Sequence, residues 1–104
     1  MIIQLNADRS LSISEEYAEK LNGVIKKDLD RFADLLTRVE MHLADENADR
    51  KTKEDKKCTL EAKLKTKHPV AVSAAGDTYD RAVVNALHKL KASLDTAVGK
   101  MKAH

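Results

Sequence analysis

Apolar and polar residues along the chain follow two periods, and the points where the period changes divide it into elements. Residues 2–6 (Ile-Ile-Gln-Leu-Asn) form a short apolar-rich run that predicts a strand, and Asp8 to Ser12 is a polar turn. The spacing then becomes helical: Tyr17, Leu21, Val24, Ile25, Leu29, Phe32 and Leu36 predict one apolar stripe over about six turns. Ser12 and Glu15 fit a capping box, Ser14 is the second N-cap candidate, and Glu15 and Glu16 suit the positive end of a helix. Asn22-Gly23 lies inside the stripe and weakens the helix without ending it.

From Val39 the period is two. Val39, Met41 and Leu43 alternate with Arg38, Glu40 and His42. Residues 46–56 hold no large apolar residue and predict a solvated hairpin loop. Cys58, Leu60, Ala62 and Leu64 then alternate with Thr59, Glu61, Lys63 and Lys65, the clearest strand in the chain. Thr66-Lys67-His68-Pro69 is a turn, and Val70, Val72 and Ala74 predict a last strand. Gly76-Asp77-Thr78 breaks that strand and caps a second helix, whose stripe is Tyr79, Val83, Ala86, Leu87, Leu90, Leu94, Ala97, Val98 and Met101.

The predicted order is β-α-β-β-β-α, an α+β fold. Clean alternation in the strands calls for a four-stranded sheet with one face buried and one wet. Two amphipathic helices on one face supply the cover. If the strands flanking the first helix are parallel, their connection is a right-handed crossover. With no repeat, low-complexity tract or linker, residues 1–104 are expected to form a single domain.

Composition narrows the function. Of the 104 residues 35% are charged, and no run approaches the ~18 apolar residues of a spanning helix, so a membrane partner is not expected. Three aromatics (Tyr17, Phe32, Tyr79) leave little on which to stack single-stranded bases. The lone Cys58 excludes an internal disulfide and a multi-cysteine zinc site. The N-terminus has neither a basic start nor an apolar core of a signal peptide, so a cytoplasmic location is expected.

Charge is uneven. Residues 1–56 hold ten Lys/Arg and thirteen Asp/Glu, a balance of −3, while residues 57–104 hold nine and four, a balance of +5. The most basic stretch runs from Arg50 to Lys67, and such a stripe attracts polyanions by releasing their counterions. On charge alone, lysines that keep a small domain soluble are the better explanation of this stretch. Lys26, Lys27 and Arg31 on the first helix, with Arg81, His88, Lys89 and Lys91 on the second, form a shared positive ridge if the helices lie side by side. A ridge of that kind meets phosphates and ribose hydroxyls in shape-based recognition of folded RNA.

No catalytic constellation emerges, and an enzyme is not expected. His42, His68, His88 and His104 show no i, i+4 pairing, so no metal, cofactor or small-molecule substrate is predicted. Cys58 falls on the apolar side of its strand, the place of an inert thiol rather than a nucleophile. Glu15, Glu16 and Glu19 compensate a helix dipole. Gly76-Asp77-Thr78 before a helix is a weak anion-site signal.

Three blocks carry a family likeness. The first is the opening strand leading through Ser12-Ile13-Ser14 into a long helix. The second is Val39-Glu-Met-His-Leu-Ala-Asp-Glu-Asn, a polar loop, then Asp55-Lys-Lys-Cys-Thr-Leu-Glu-Ala-Lys. The third is Val70-Ala-Val-Ser-Ala-Ala-Gly-Asp-Thr and the helix after it, with Ala82-Val83 and Lys89-Leu90. In their order and spacing, over nearly the whole chain, these blocks resemble short ribosome hibernation-promoting factors of the ribosome-associated inhibitor A type.

That resemblance implies a fold akin to double-stranded-RNA-binding domains. It also implies binding to rRNA of the small ribosomal subunit near the decoding region, which silences and stabilises idle ribosomes under stress. By position, Lys27 and Lys89 match basic positions of the family. Together with Arg31, Lys63, Lys65, Arg81 and Lys91 they are the expected RNA-binding residues. The sequence departs from the family pattern at Val24, Asp80, Val84 and Ala92. These departures motivate the alternative, a protein-interaction module on the same fold with weakened ribosome binding. A monomer or weak homodimer is expected.

Overall fold

The computed structural model describes residues 1–7, 13–45, 56–65 and 68–100, and the helical backbone of 101–102. The elements are β1 (Ile2–Ala7), α1 (Glu15–Asp28), β2 (Leu36–Asp45), β3 (Lys56–Leu64), β4 (Val70–Gly76) and α2 (Tyr79–Lys102). The order is β-α-β-β-β-α. The strands form one mixed sheet in the order β1-β2-β3-β4, with β1 parallel to β2 and the other pairs antiparallel.

Alternation selects the buried face. Val39, Met41 and Leu43 of β2, Cys58, Leu60 and Ala62 of β3 and Ala74 of β4 lie under the helices. Leu21 and Ile25 of α1, and Ala82, Val83, Ala86, Leu87, Leu90 and Leu94 of α2, close over them in the same cluster. Both helices therefore sit on one sheet face. The opposite face carries Arg38, Glu40 and His42 of β2 beside Lys63, Glu61 and Thr59 of β3. The core contains no buried charge among the described residues, so each fully buried leucine contributes roughly 1.5–3 kcal/mol of transfer free energy without an offsetting polar cost.

The first helix is shorter than its apolar stripe. α1 ends at Asp28, where the Leu29 N–H still reaches the Ile25 carbonyl. A single 3₁₀ turn, Asp30–Phe32, follows, and Leu36 opens β2. Leu29, Phe32 and Leu36 are buried from a turn, a 3₁₀ turn and a strand, not from a continuous helix. The cause is that buried positions three or four apart satisfy helical spacing whatever backbone joins them. Val24, counted in the same stripe, is exposed. β2 also begins three residues before the alternation is visible, with a register shift between Leu36 and Arg38.

Caps locate the helix starts. Ser14 Oγ accepts from the Tyr17 N–H at 3.1 Å, so Ser14 is the N-cap of α1. Ser12, the other candidate, lies outside the described residues, as do most of the 46–56 loop and the turn residues Thr66 and Lys67. Thr78 Oγ1 accepts from the Arg81 N–H at 3.0 Å and caps α2. Gly76 is the last residue of β4, and only Asp77 and Thr78 separate it from α2. Its role is close approach: a Cβ there would stand 2.6 Å from the Ala82 nitrogen.

Candidate nucleic-acid interface

α1 and α2 lie side by side and point the same way, because their cross-contacts advance together along both. Near the N-termini the Tyr17 hydroxyl donates to Asp80 Oδ1 at 2.6 Å, and Lys20 Nζ donates to Asp80 Oδ2 at 3.4 Å. Further along, Lys91 Nζ lies 3.1 Å from Asp28 Oδ2. Beyond the end of α1, Arg31 forms a two-pronged bond to Asp95 at 2.7 and 3.0 Å, with its guanidinium stacked 4.1 Å over the Phe32 ring. Burial of the phenol and its bond to Asp80 raise the Tyr17 pKa well above the ordinary tyrosine value. The Arg31 guanidinium holds the Asp95 carboxyl below the usual carboxylate range.

The predicted ridge therefore exists, but it is a ladder of alternating signs and not a uniform positive strip. Lys27 and Arg81 stand exposed on it with no charge partner among the described residues. Arg31 and Lys91 are on it and engaged by acids. Lys89 leans the other way: its Nζ donates to the Ser73 carbonyl at 2.9 Å, beside Asn85, whose Nδ2 donates to the Ala75 carbonyl at 2.9 Å. These two side chains of α2 cover the outer edge of β4.

Lys63 and Lys65 are not brought to the ridge. Lys63 alternates with the buried Ala62 and so projects from the opposite sheet face. There Glu40 and Glu61 are cross-strand partners, and Lys63 and Arg38 approach the Glu40 carboxylate at 3.7 and 3.6 Å, relieving the repulsion. Lys65 is exposed just past the end of β3. Of the seven residues singled out from the sequence, five lie on the helices or beside them and two do not.

Sequence reasoning missed Lys20, Asp28, Asp80 and Asp95 as members of the ladder. Partner choice there depends on the offset between two helices, which no local pattern encodes. Three of the departures sit on the same surface: Asp80 belongs to the ladder, and Val24 and Val84 are exposed at 38% and 39%, so the ridge carries apolar as well as charged ground. A shallow open depression lined by Asp77, Thr78, Asp80, Arg81 and Val84 marks its N-terminal end.

Cys58 is fully buried on β3, and burial pushes its thiol up to about 12, which leaves it un-ionised and inert at neutral pH. Among the described residues no three His, Cys, Asp or Glu side chains converge as metal ligands. No described helix is long and apolar enough to cross a membrane.

The sequence matches no protein-family model and no curated protein. Solved structures do share the fold. A ribosomal subunit interface protein from Coxiella burnetii superposes with a TM-score of 0.72 at 20% identity, covering 95% of this chain and 99% of that one. The N-terminal domain of Protein Y from Thermus thermophilus superposes with a TM-score of 0.70 at 18% identity, covering 89% of this chain and 94% of that one. At such identities the likeness establishes the fold and its element order.

Proposed function

We propose that this chain is a ribosome hibernation-promoting factor domain that acts in the cytoplasm, binds rRNA of the small subunit near the decoding region and stabilises idle ribosomes. The observation that carries the proposal is the near end-to-end match of the fold to a ribosomal subunit interface protein, at 95% and 99% coverage. The family-like blocks of the sequence point the same way. The protein acts by occupancy, with no bond made or broken. Lys27 and Arg81 make the first phosphate contacts, being exposed and without an acidic partner among the described residues. Lys89, Lys91 and Arg31 join by exchanging their present partners for phosphate, and Lys63 and Lys65 form a separate patch.

Co-sedimentation with purified ribosomes and separated subunits tests the proposal. Pelleting with small subunits, lost on raising salt, is the expected result, because each phosphate contact releases counterions. Absence of binding at low salt by folded protein overturns it. A second reading, a protein-interaction module on the same fold, is favoured by one observation: three acids of the ladder already neutralise cations of the ridge while Val24 and Val84 stay exposed. An association in lysate that survives RNase supports that reading.

A further inference from the structure

The two edges of the sheet are treated differently. At β4 the carbonyls of Ser73 and Ala75 are covered by Lys89 and Asn85. At β1 no described residue hydrogen-bonds to the outer backbone edge. Exposed edge strands are normally protected by a charged side chain, a proline or a bulge. β1, Ile-Ile-Gln-Leu-Asn-Ala, has no charge and no proline, and its register with β2 runs unbroken from Ile2↔Arg38 to Ala7↔Leu43. Ile2 is 63% exposed.

We infer that the β1 edge is a homodimer interface, where β1 of a second copy adds antiparallel and the two sheets become one of eight strands. The register that fits places Gln4 on the two-fold axis. Ile3 then faces the partner's Leu5, and Leu5 the partner's Ile3, on the helix-covered side, where both are only partly buried in the single chain. On the other side Ile2 meets Asn6. Residues paired in this register are both odd-numbered or both even-numbered, so outward backbone groups meet outward backbone groups.

The helix above repeats the symmetry. α1 is ~21 Å long and β1 ~20 Å, and α1 returns toward the start of the sheet and packs on β1. The flank of α1 turned away from α2 presents Glu15, Glu19, Asn22 and Lys26, one stripe that is acidic at its start and basic at its end. A two-fold axis near Asn22 sets Glu19 against the partner's Lys26, and Lys26 against the partner's Glu19. Two helices share the width of four strands, so adjacent helices across the junction stand about 10 Å apart, an ordinary packing distance.

Two orphaned amides lie on the strand and the helix of this edge. Gln4 Oε1 and Asn22 Oδ1 are shielded from solvent and have no hydrogen-bond partner. The Gln4 amide spends one N–H on Asn6 Oδ1 at 3.3 Å and retains the other. Turned outward across the axis, Gln4 would exchange reciprocal bonds with the partner's Gln4, and Asn22 with the partner's Asn22. Charge that complements itself about one axis, orphan polar atoms on the strand and helix beside it and an unprotected strand together specify a second copy of this chain as the occupant.

Sedimentation equilibrium of the full chain over a range of concentrations tests this. The expected result is a monomer–dimer equilibrium that Gln4→Lys weakens at least tenfold, by placing like charges on the axis. Glu19→Lys weakens it several-fold, and the double exchange Glu19→Lys with Lys26→Glu restores it. Far-UV circular dichroism and a melting curve confirm that each variant is folded. A chain that stays monomeric at about 1 mM, a concentration that detects even millimolar affinity, overturns the inference. So does a dimer indifferent to Gln4→Lys, or a double exchange that fails to rescue. Binding of a different protein at β1 by a chain that stays monomeric also overturns it.

Discussion

The Tyr17 hydroxyl and the Asp80 carboxylate join the first turns of the two helices through a 2.6 Å bond. The two residues are far apart in sequence, so this contact fixes how α1 and α2 lie relative to each other. The phenol must be protonated to donate, and its pKa is raised by burial first and by Asp80 second. A group whose folded pKa lies above its unfolded value stabilises the fold below the unfolded value. That stability fades as pH rises past the ordinary tyrosine value of 10.0. Tyr17→Phe should cost about 1 kcal/mol at neutral pH, and should flatten the alkaline decline. Melting temperature against pH for both proteins checks this; parallel alkaline curves would remove Tyr17 as the cause.

At the other end of the helix pair the sign reverses. Asp95 is held below its usual range by the bond from Arg31, so its contribution exists above the ordinary aspartate pKa of 3.8. It is lost as pH falls through the lower folded value. Both partners are solvent-exposed, so screening makes the pair worth little and the effect small. Asp95→Asn should therefore leave neutral stability nearly unchanged. The clear signature is an NMR titration of the Asp95 carboxyl with a midpoint below 3.8 that returns toward normal in Arg31→Ala.

Packing makes larger demands. Leu60 and Leu90 face each other's layer with no exposed surface, and either one replaced by alanine should lose about 2–5 kcal/mol in denaturant unfolding. Gly76→Ala is the more specific test. The added Cβ meets the Ala82 nitrogen at 2.6 Å, backbone that cannot swing aside, so β4 and the start of α2 must separate. The expected loss is about 1–3 kcal/mol, with the unfolding slope unchanged. A neutral Gly76→Ala would mean that the connection is looser than its geometry.

The element order, the buried face and the position of both helices were legible from period alone, because strand and helix periods place Leu60 or Leu90 on one side whatever the details. The end of α1 was not legible. Leu29, Phe32 and Leu36 keep helical spacing while the backbone changes form, since burial and not hydrogen bonding sets the apolar pattern. The ridge was half legible. Lys27 and Arg81 could be placed on helix faces, but the pairing of Asp28 with Lys91 and of Asp95 with Arg31 depends on the helix–helix offset. Lys63 was assigned to the RNA-binding set by charge, although its parity against the buried Ala62 already placed it on the far face.

That ladder leads to a prediction about binding which separates the cations by their present occupation. Lys27 and Arg81 give up no ion pair when they meet a phosphate. Arg31 and Lys91 must first release Asp95 and Asp28. Lys27→Ala with Arg81→Ala should therefore weaken binding to small ribosomal subunits at every salt concentration. It should also lower the slope of log K against log salt by about 1 for each phosphate no longer neutralised. Removing the competing acids should act in the opposite direction: Asp28→Asn with Asp95→Asn frees two cations, so affinity rises and the slope steepens. Lys63→Ala, on the opposite sheet face, should change neither quantity by as much. Binding isotherms at three salt concentrations decide the matter. If the acid variants bind no better than the parent while Lys63→Ala abolishes binding, the RNA-binding surface is the open sheet face and not the helix ridge.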